Sequence, residues 1–473
     1  MQIASAQTVR AAEQAAFAAG LTSSSALMDA VVERLARHPF VRSLHPEAVV
    51  VYAGRGNNAG DAIGLAARLG LPVVLRAVGG GLSAESQRQM EALPGYSTEL
   101  PAPGTRLLLL DGLLGSGAHG RLRAEYAEGV REMNALRSAS PGSCLLAVDI
   151  PTGLDAESGT FTEGEVVLAD ATAAIGCVKP GMLADAAQDA VGRLLCIPLP
   201  EVAIEPCSPH RVLDAAEVAG WLPRSPYSCF KNRRGRVAIV AGSIGMLGAA
   251  ELCARAAVHA GAGLVVAYAL PEAYPLLAVR MPPEVMVRPV ASYADIAEPQ
   301  ADALVIGPGL GSLPPRERTA LRRLAADFPR TVVLDADGLN LAAEEAWDFP
   351  PNFILTPHPG EMRRLDPLPA ATRLETVQRF LARHDCTLLL KGCRTVIADR
   401  RQLFYNSTGG PFMANGGQGD VLSGTIAALA ARGLPPLRSA ALAAYLCGLA
   451  AESLVSPITP ASAVADALAK LAE

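Results

Sequence analysis

Residues 48–61 read Ala-Val-Val-Val-Tyr-Ala-Gly-Arg-Gly-Asn-Asn-Ala-Gly-Asp. The apolar run Ala48–Ala53 predicts a strand that is buried on both faces. The glycines after it predict a tight turn, and Ala62–Leu69 predicts a helix that stops at Gly70. A buried strand that turns directly into a helix is typical of α/β proteins with a parallel sheet.

The same alternation of short apolar runs and alanine-rich helical stretches continues along the chain, so we predict an α/β fold throughout. In the first half, the remaining predicted strands are Pro72–Val78, Leu107–Leu110, Cys144–Val148 and Ala171–Ile175. In the second half, they are Arg236–Ala241, Leu264–Leu270, Ala303–Ile306, Thr331–Leu334, Phe353–Leu355 and Thr387–Leu390.

The chain has 473 residues, more than one hydrophobic core usually supports, which predicts two domains. A proline-bearing stretch runs from Pro198 to Pro209, and the strand-loop-helix pattern starts again after it. We therefore predict domains at 1–208 and 209–473.

Composition excludes several classes of function. The net charge is −5 and no dense basic run is present, which argues against a nucleic-acid partner. No apolar run approaches the length of a membrane span, and the N-terminus lacks the pattern of a secretory signal. The nine cysteines include no CxxC pair, so we expect reduced thiols. From these features together we expect no membrane partner and a cytoplasmic location.

The loop Gly54–Asp61 is the first candidate binding site. Its glycines allow backbone N–H groups to approach a phosphate at a helix N-terminus, and Asn57 and Asn58 add amide donors and acceptors. A plain strand-to-helix turn with an aspartate near the helix start would account for the same residues.

Two further predicted strands end in aspartates, Asp111 and Asp149. Ligands of open α/β sheets bind at the carboxyl ends of the strands, so we expect these aspartates to lie near the first loop. The oxygen atoms of Asn58, Asp111 and Thr152 suit a cation of low charge. Asp149 is a candidate general acid or base, because an apolar cleft raises the proton affinity of a carboxyl group.

These motifs together resemble the YjeF N-terminal family, the NAD(P)H-hydrate epimerases, over about residues 1–205. The motifs are Gly-x-Gly-Asn-Asn-x-Gly-Asp at 54–61, Asp-x-Leu-x-Gly-x-Gly at 111–117 and Val-Asp-Ile-Pro-Thr-Gly-Leu-Asp at 148–155. The resemblance implies a Rossmann-like three-layer domain that binds a hydrated nicotinamide nucleotide and potassium.

The resemblance also implies roles for individual residues. Asp149 would be catalytic and would contact substrate, and potassium would be bound by Asn58, Asp111 and Thr152. The nucleotide would be lined by Asn57, Asn58, Ala59, Gly60, Asp61, Gly115, Ser116, Gly117, Ala118, His119, Gly120 and Arg121.

The sequence departs from the family pattern at a few positions. Ala59 and Ala62 replace glycines, and alanine at 59 requires a negative φ or some strain. Thr152 replaces serine but keeps the hydroxyl group. Lys179 stands where the family also has a lysine, and we expect a solvated lysine in a turn.

The C-terminal half carries Gly416-Gly417-Gln418-Gly419-Asp420, directly before a predicted helix at Val421–Arg432. Glycines at a helix N-terminus form a site for a transferring phosphoryl group, and Asp420 beside them can take a proton from a substrate hydroxyl. A flexible loop with an N-cap aspartate is the alternative interpretation.

Four other motifs follow predicted strands and should meet in the same cleft. They are Gly307-Pro-Gly-Leu-Gly311, Asp335-Ala-Asp-Gly-Leu-Asn340, Thr356-Pro-His-Pro-Gly-Glu361 and Lys391-Gly392. Asn340 and Glu361 are candidates for orienting magnesium and its waters, and His358 for a substrate hydrogen bond. A rigid surface turn at His358 and a plain hairpin at Lys391–Thr395 remain alternatives.

This set of motifs resembles the ribokinase-like superfamily, and within it the ADP-dependent NAD(P)H-hydrate dehydratases, from about Lys231 to the end. The resemblance implies that ADP phosphorylates the C6 hydroxyl of the S-hydrate and that phosphate then leaves, with Asp420 as the base. Ala249, Gly309, His358 and Asp420 would contact the hydrate. The adenine nucleotide would be contacted by Lys391, Gly392, Cys393, Arg394, Thr395 and Gly419.

The two halves together predict a bifunctional repair enzyme for NADHX and NADPHX that uses ADP and magnesium in one half and potassium in the other. Cys447 replaces a frequent histidine, where we expect an effect on packing. A small-molecule kinase is an alternative for the second half. An interaction module is an alternative for the first half, although such a module would be expected to lose Asn58 and Asp149. A homo-oligomer is compatible with each interpretation.

Overall fold

The computed structural model of the chain describes residues 1–222, 225–296 and 300–471. The chain forms two compact units, Met1–Val212 (unit 1) and Leu213–Glu473 (unit 2). Within the described residues, every helix is too short or too polar to cross a bilayer.

The described residues of unit 1 form a six-stranded parallel sheet in the order β2-β1-β3-β4-β5-β6. Its strands are β1 (Ala48–Ala53), β2 (Val73–Ala77), β3 (Leu107–Gly112), β4 (Cys144–Val148), β5 (Ala171–Gly176) and β6 (Arg193–Pro198). A two-residue strand, β7 (Arg211–Val212), ends the unit. The strand order reverses between β1 and β3, which is where ligands bind in such sheets.

Helices cover both faces of this sheet. The helices are α1 (Ala6–Ala18), α2 (Ser24–Arg37), α3 (Pro39–Ser43), α4 (Asn57–Leu69), α5 (Ala84–Glu91), α6 (Ala124–Ala139) and α7 (Gln188–Val191), with 3₁₀ turns at Pro180–Leu183 and Asp185–Ala187. Along β1, Val49 and Val51 pack into the core beneath α1, α2 and α4, whereas Val50 and Tyr52 pack into a second core with α6. Alternate burial on two faces explains why the whole strand is apolar.

The strands of unit 2 lie in the order β10-β9-β8-β11-β12-β13-β14-β15-β16. They are β8 (Arg236–Val240), β9 (Leu264–Ala269), β10 (Val285–Pro289), β11 (Ala303–Ile306), β12 (Thr331–Leu334), β13 (Phe353–Leu355), β14 (Thr387–Leu390), β15 (Val396–Ala398) and β16 (Leu403–Tyr405). The strands β8 to β14 pair in parallel, and β14-β15-β16 is an antiparallel meander. Here the order reverses between β8 and β11, which defines a second expected binding edge.

The helices of unit 2 are α8 (Ala215–Val218), α9 (Leu247–His259), α10 (Tyr274–Arg280), α11 (Pro315–Asp327), α12 (Ala336–Glu344), α13 (Pro359–Leu365), α14 (Arg373–Arg383), α15 (Gln418–Ala431), α16 (Pro436–Ser453) and α17 (Ala461–Leu468). Short 3₁₀ turns lie at Lys231–Arg234, Tyr293–Asp295 and Pro411–Met413. The α9 and α15 helices are rich in alanine and pack closely on each other, because small side chains let two helix backbones approach.

The predicted α/β class is confirmed, and each predicted strand exists with bounds shifted by at most a few residues. The helix predicted at Ala62–Leu69 begins earlier, at Asn57, so the two asparagines are already helical. Ala59 therefore lies in the first turn of α4 and is fully buried without backbone strain. The strands β6, β7, β10, β15 and β16 were not predicted.

Candidate active sites

A cavity of about 480 Å³ opens in unit 1 at the edge where β1 and β3 end. Its lining includes Asn57, Asn58 and Asp61 from α4 and the backbone of Gly115 to Gly117 from the loop after β3. Asp149 and Lys179 reach the same cavity from the ends of β4 and β5. The strand order therefore gathers residues that are far apart in the sequence.

Asp149 and Lys179 form a buried ion pair in this cavity. The lysine side chain is 1% exposed and also donates hydrogen bonds to the carbonyl oxygens of Ile175, at 2.9 Å, and Cys177, at 3.3 Å. The solvated turn predicted for Lys179 is therefore wrong, because the 3₁₀ turn after β5 directs the side chain inward. Asp149 has a φ of +66°, an uncommon conformation for a residue other than glycine that often occurs at functional sites.

The pKa of Asp149 is lowered, although burial opposes the ionised form, because Lys179 and the backbone N–H of Ser116 stabilise the carboxylate. The Ser116 N–H lies 3.0 Å from Oδ2 of Asp149. The pKa of Lys179 is raised by Asp149 in spite of burial. The raised proton affinity expected for Asp149 is thus wrong, because the surrounding groups favour its ionised form.

Asn58, Asp111 and Thr152 come together beside the cavity. Asp111 is fully buried and accepts hydrogen bonds from the N–H of Thr152 at 2.8 Å and from its hydroxyl at 2.7 Å. Asn58 donates to the carbonyl of Leu114 at 3.1 Å, and the Leu114 N–H donates to the Thr152 hydroxyl at 3.1 Å. Burial raises the pKa of Asp111 to about 6, and its stabilising partners are neutral hydrogen-bond donors.

The loop predicted to line the nucleotide divides between two cavities. Gly115, Ser116 and Gly117 lie in the first cavity, whereas the residues from Ala118 to Arg121 line a neighbouring cavity of about 260 Å³. There His119 lies 3.8 Å from Asp155, and Arg121 forms an ion pair of 3.2 Å with Glu165.

Two residues of α1, Arg10 and Glu13, line the first cavity and were not predicted. They precede the motifs, and an alanine-rich helix gives no local signal for a site. Asp61 was predicted, and the structure adds that its Oδ1 atom is buried without a hydrogen-bond partner. Burial and the nearby carboxylates of Asp149 and Glu13 raise its pKa well above the usual value.

In unit 2, the central charged group is Asp335 at the end of β12. It is 1% exposed and accepts hydrogen bonds from Nζ of Lys391 at 2.7 Å and from Oγ of Ser423 at 2.8 Å. A side-chain atom at Gly419 would lie 3.2 Å from Nζ of Lys391, so the glycine leaves space for the pair. The sequence indicated Lys391, Gly419 and the motif that begins at Asp335, but it gave no role to Asp335 and missed Ser423.

Asp420 lies in the first turn of α15, beside this pair. Burial and the carboxylate of Asp335 raise its pKa to about 7, whereas Lys391 lowers it. A carboxyl group with a pKa near neutrality exchanges protons well, so Asp420 is suited to act as a general base.

Ala249 and Gly309 face each other across the edge between β8 and β11. A side-chain carbon at Gly309 would lie 2.9 Å from Cβ of Ala249 and 2.7 Å from the carbonyl oxygen of Met246. The hydroxyl of Ser243 donates to the Gly309 carbonyl at 3.0 Å, which ties the two loops together. The two residues predicted to contact the hydrate therefore lie together at the expected binding edge of unit 2.

His358 caps α13, and its Nδ1 accepts a hydrogen bond from the N–H of Gly360 at 2.9 Å. Its side chain is 53% exposed, and Glu361 completes a capping box by accepting from the His358 N–H at 2.8 Å. Asn340 is instead engaged by Asp337 and by Arg364, whose Nη1 donates to it at 2.8 Å. The two residues predicted to orient magnesium therefore lie apart. Glu361 lies 4.0 Å from Lys391, whereas Asn340 lines a separate cavity of about 390 Å³.

The stretch Lys391–Thr395 is the turn between the antiparallel strands β14 and β15. Cys393 is exposed, whereas Arg394 is buried with a φ of +49°. Thr395 closes the turn by donating from its hydroxyl to the Gly392 carbonyl at 3.0 Å. Further from the site, the buried thiol of Cys447 lies 3.6 Å from the Thr425 hydroxyl and packs α16 against α15.

Comparison with known families matches both halves of the chain. Residues 22–181 match the model described as the YjeF-related protein N-terminus, and residues 237–472 match the model described as NAD(P)H-hydrate dehydratase. A solved ribokinase-like superfamily protein from Enterococcus faecalis is 29% identical with a TM-score of 0.51. It covers 56% of this chain, and 95% of its own chain is matched.

Similar proteins cover most of the chain. The bifunctional NAD(P)H-hydrate repair enzyme Nnr of Coxiella burnetii is 34% identical over 435 residues, which are 86% of this chain and 86% of that protein. The enzyme of the same name from Escherichia coli is 35% identical over 438 residues, 88% of this chain and 82% of that protein. The chain therefore belongs to the family of bifunctional NAD(P)H-hydrate repair enzymes.

Proposed function

We propose that this chain repairs hydrated NADH and NADPH. Unit 1 interconverts the two C6 epimers, and unit 2 dehydrates the S-epimer to NADH or NADPH. The observation that carries the proposal is the presence of two separate acidic sites in one chain. One contains the Asp149–Lys179 pair, and the other contains Asp420 beside the Asp335–Lys391 pair.

In the epimerase, Asp149 is the proposed base that accepts the proton of the C6 hydroxyl group. Lys179 donates one hydrogen bond to that carboxylate and keeps it ionised, and its two further hydrogen bonds, to the carbonyl oxygens of Ile175 and Cys177, hold the lysine in place. We retain Asn57 to Asp61 and Gly115 to Gly117 as the residues that line the hydrated nucleotide, because they surround the same cavity. The residues Ala118 to Arg121 are proposed to contact a more distant part of the nucleotide.

Potassium fits the residues beside the cavity. Asp111 is a fully buried carboxylate, and its hydrogen-bond partners Thr152 and Leu113 carry no charge. A monovalent cation held by Asp111, Asn58 and Thr152 would balance that charge with hard oxygen ligands. When bound, it would lower the cost of burying the carboxylate and hold the loops after β3 and β4 in place.

In the dehydratase, Asp420 is the proposed base that takes the proton of the C6 hydroxyl as this oxygen accepts a phosphoryl group. The N–H groups at the start of α15 stabilise the transferring phosphoryl group, because they lie at the positive end of the helix dipole. Phosphate then leaves C6, a proton is lost from the neighbouring ring carbon, and the double bond between these two carbons is restored. Ala249, Gly309 and His358 are proposed to hold the ring.

The nucleotide is proposed to be ADP, which gives AMP and phosphate, with contacts to Gly419 and to the turn Lys391–Thr395. Among the described residues, no cluster of three or more His, Cys, Asp or Glu side chains is placed to hold a metal ion. Magnesium would therefore be held largely by nucleotide phosphates, which is its usual mode in phosphotransfer sites, with Glu361 as the candidate protein carboxylate. Domains at 1–208 and 209–473 and a cytoplasmic location stay predictions.

The decisive measurement is the recovery of absorbance at 340 nm from a mixture of both NADHX epimers with ADP, Mg²⁺ and K⁺. We expect wild type to restore the full signal in two phases, the second limited by epimerisation. Asp149→Asn should slow the second phase alone, and Asp420→Asn should abolish recovery. Glu163→Gln and Asp385→Asn change exposed carboxylates outside both sites and serve as matched controls.

The outcomes separate the proposal from the small-molecule kinase. A repair enzyme releases AMP and inorganic phosphate in equal amounts with each NADH formed. A stable phosphorylated product without recovery at 340 nm would contradict the dehydratase assignment. Replacement of K⁺ by the larger tetramethylammonium ion should slow the second phase only, and an unchanged second phase would contradict the potassium assignment.

A further inference from the structure

Helix α1 presents one face to the epimerase cavity. Ala6, Val9, Arg10, Glu13 and Phe17 all line it, at spacings of three or four residues that place them on the same side of the helix. The family model that matches unit 1 begins at residue 22, after this helix. The cavity is therefore completed by a segment outside the matched motifs.

The position of α1 is held by specific contacts. Ser5 caps the helix by accepting a hydrogen bond from the Thr8 N–H at 3.0 Å, and the Ala6 N–H donates to Glu157 at 2.9 Å. Arg10 reaches the loop after β3, since a side-chain carbon at Gly117 would lie 2.5 Å from its Nη2 atom. The residues of α1 are thus positioned to contact a ligand in the cavity.

Glu13 interacts with the charged groups of the cavity. Burial and the carboxylate of Asp149 raise the pKa of Glu13, whereas Lys179 and Arg10 lower it. The same glutamate contributes to the raised pKa of Asp61. The pKa of Asp149 is shifted in the opposite direction, and two carboxyl groups with divergent pKa values are the usual arrangement of an acid and a base in one site.

We propose that Glu13 is a further catalytic residue of the epimerase, the proton donor that works with Asp149 as the proton acceptor. This inference rests on the proposed epimerase function.

The chemistry requires one donor and one acceptor. The hydrated carbon of the ring bears the hydroxyl group and is bonded to the ring nitrogen. In ring opening, Asp149 takes the hydroxyl proton, the oxygen forms a carbonyl bond, the carbon–nitrogen bond breaks, and the nitrogen takes a proton from Glu13. After rotation about the adjacent carbon–carbon bond, the nitrogen attacks the other face, Glu13 recovers its proton and Asp149 returns its proton to oxygen. No oxidant or cosubstrate is needed.

Asp61 is the competing donor, since it lines the same cavity and its pKa is also raised. Its carboxyl oxygen Oδ1 is buried without a partner, and its short side chain projects from the first turns of α4. Such a group stays neutral and donates a hydrogen bond, a role that an amide also performs. Glu13 has a longer side chain and a mixed charge environment, which suit repeated release and recovery of a proton.

The test compares Glu13→Gln with Asp61→Asn in the full chain, and Gln14→Ala serves as the control, because Gln14 is the exposed neighbour of Glu13 on α1. We expect Glu13→Gln to lower kcat for conversion of the R-epimer by ~100-fold or more with little change in KM. Glu13→Asp should recover part of kcat and shift the alkaline limb of its pH profile. Asp61→Asn should act mainly on KM, and Gln14→Ala should match wild type.

Dehydration of the pure S-epimer by the same preparations reports whether the chain is folded, since it depends on unit 2, and the melting temperature reports on unit 1. An unchanged kcat in Glu13→Gln, or a larger loss of kcat in Asp61→Asn, would overturn the assignment of Glu13 while wild type still epimerises. If wild type does not epimerise, the proposed epimerase function fails together with it.

Discussion

At the scale of single residues, both sites use a buried lysine–aspartate pair at the carboxyl end of the sheet. In unit 1 the pair is Lys179 and Asp149, and in unit 2 it is Lys391 and Asp335. Each lysine compensates the burial of its partner carboxylate and so lowers its pKa. Each pair also has further carboxyl groups with raised pKa values beside it. These are Glu13 and Asp61 in unit 1, and Asp420, with a pKa of about 7, in unit 2.

The first prediction concerns the pair in unit 1. Lys179→Met should destabilise the protein by about 3–5 kcal/mol at neutral pH, because it leaves a buried carboxylate without its partner. Asp149→Asn in the same chain should recover part of this loss. Arg37→Met, which removes an exposed ion pair with Glu33, should cost less than about 1 kcal/mol. Urea unfolding measures all four chains, and equal effects of Lys179→Met and Arg37→Met would contradict the burial of the pair.

The second prediction concerns pH. Asp420 must be ionised to accept a proton, so kcat/KM of the dehydratase should fall as the pH decreases through about 7. The raised pKa also means that ionisation of Asp420 destabilises the fold. The free energy of unfolding should therefore decrease as the pH rises from about 4, the pKa of an unfolded aspartate, to about 7. Asp420→Asn should therefore be more stable than wild type by about 1–4 kcal/mol at pH 8 and inactive as a dehydratase. A flat pH profile between pH 6 and 8 would argue against Asp420 as the base.

At the scale of elements, close helix packing positions the proposed site residues of unit 2. The helix α15 carries Asp420 in its first turn and lies against α9, which carries Ala249 near its start. A side-chain carbon at Gly424 would lie 2.0 Å from the carbonyl oxygen of Cys253, so the two backbones are nearly in contact. Only glycine allows this approach.

The third prediction tests that contact. Gly424→Ala should destabilise the protein by about 1–3 kcal/mol and lower dehydratase activity, because α15 must move away from α9. Gly248→Ala, in the first turn of α9, meets no atom within 4 Å and should leave stability unchanged or slightly raised. Thermal unfolding of both variants is the measurement, and equal stability of the two would show that α9 and α15 are not in close contact at Gly424.

At the scale of the whole molecule, each unit has its own buried core and its own site at a reversal of strand order. The proposed reactions share one substrate, since the epimerase converts the R-hydrate into the S-hydrate that the dehydratase uses. Because the two activities share a small molecule, they can act in sequence without a covalent bond between the substrate and the chain.

The fourth prediction follows from this independence. A mixture of Asp149→Asn and Asp420→Asn chains, each at the wild-type concentration, should restore the full absorbance at 340 nm with the second phase at the wild-type rate. Each variant alone should show its own defect. A second phase no faster than that of Asp149→Asn alone would indicate that the epimer passes only between the two units of a single chain.

The sequence by itself determined the α/β class, most strands and most of the candidate site residues. Buried parallel strands must be continuously apolar, and the glycine-rich loops that follow them need particular backbone conformations, so both leave a local pattern. The burial of Lys179 and the ionised state of Asp149 depended on tertiary structure, because the charge state of a buried group is set by neighbours that are distant in the sequence. Glu13 joins its site for the same reason: the docking of α1 brings it there, and no local sequence pattern indicates it. The motif at Asp335 was visible in the sequence, but its pairing with Lys391 depended on the order of the strands.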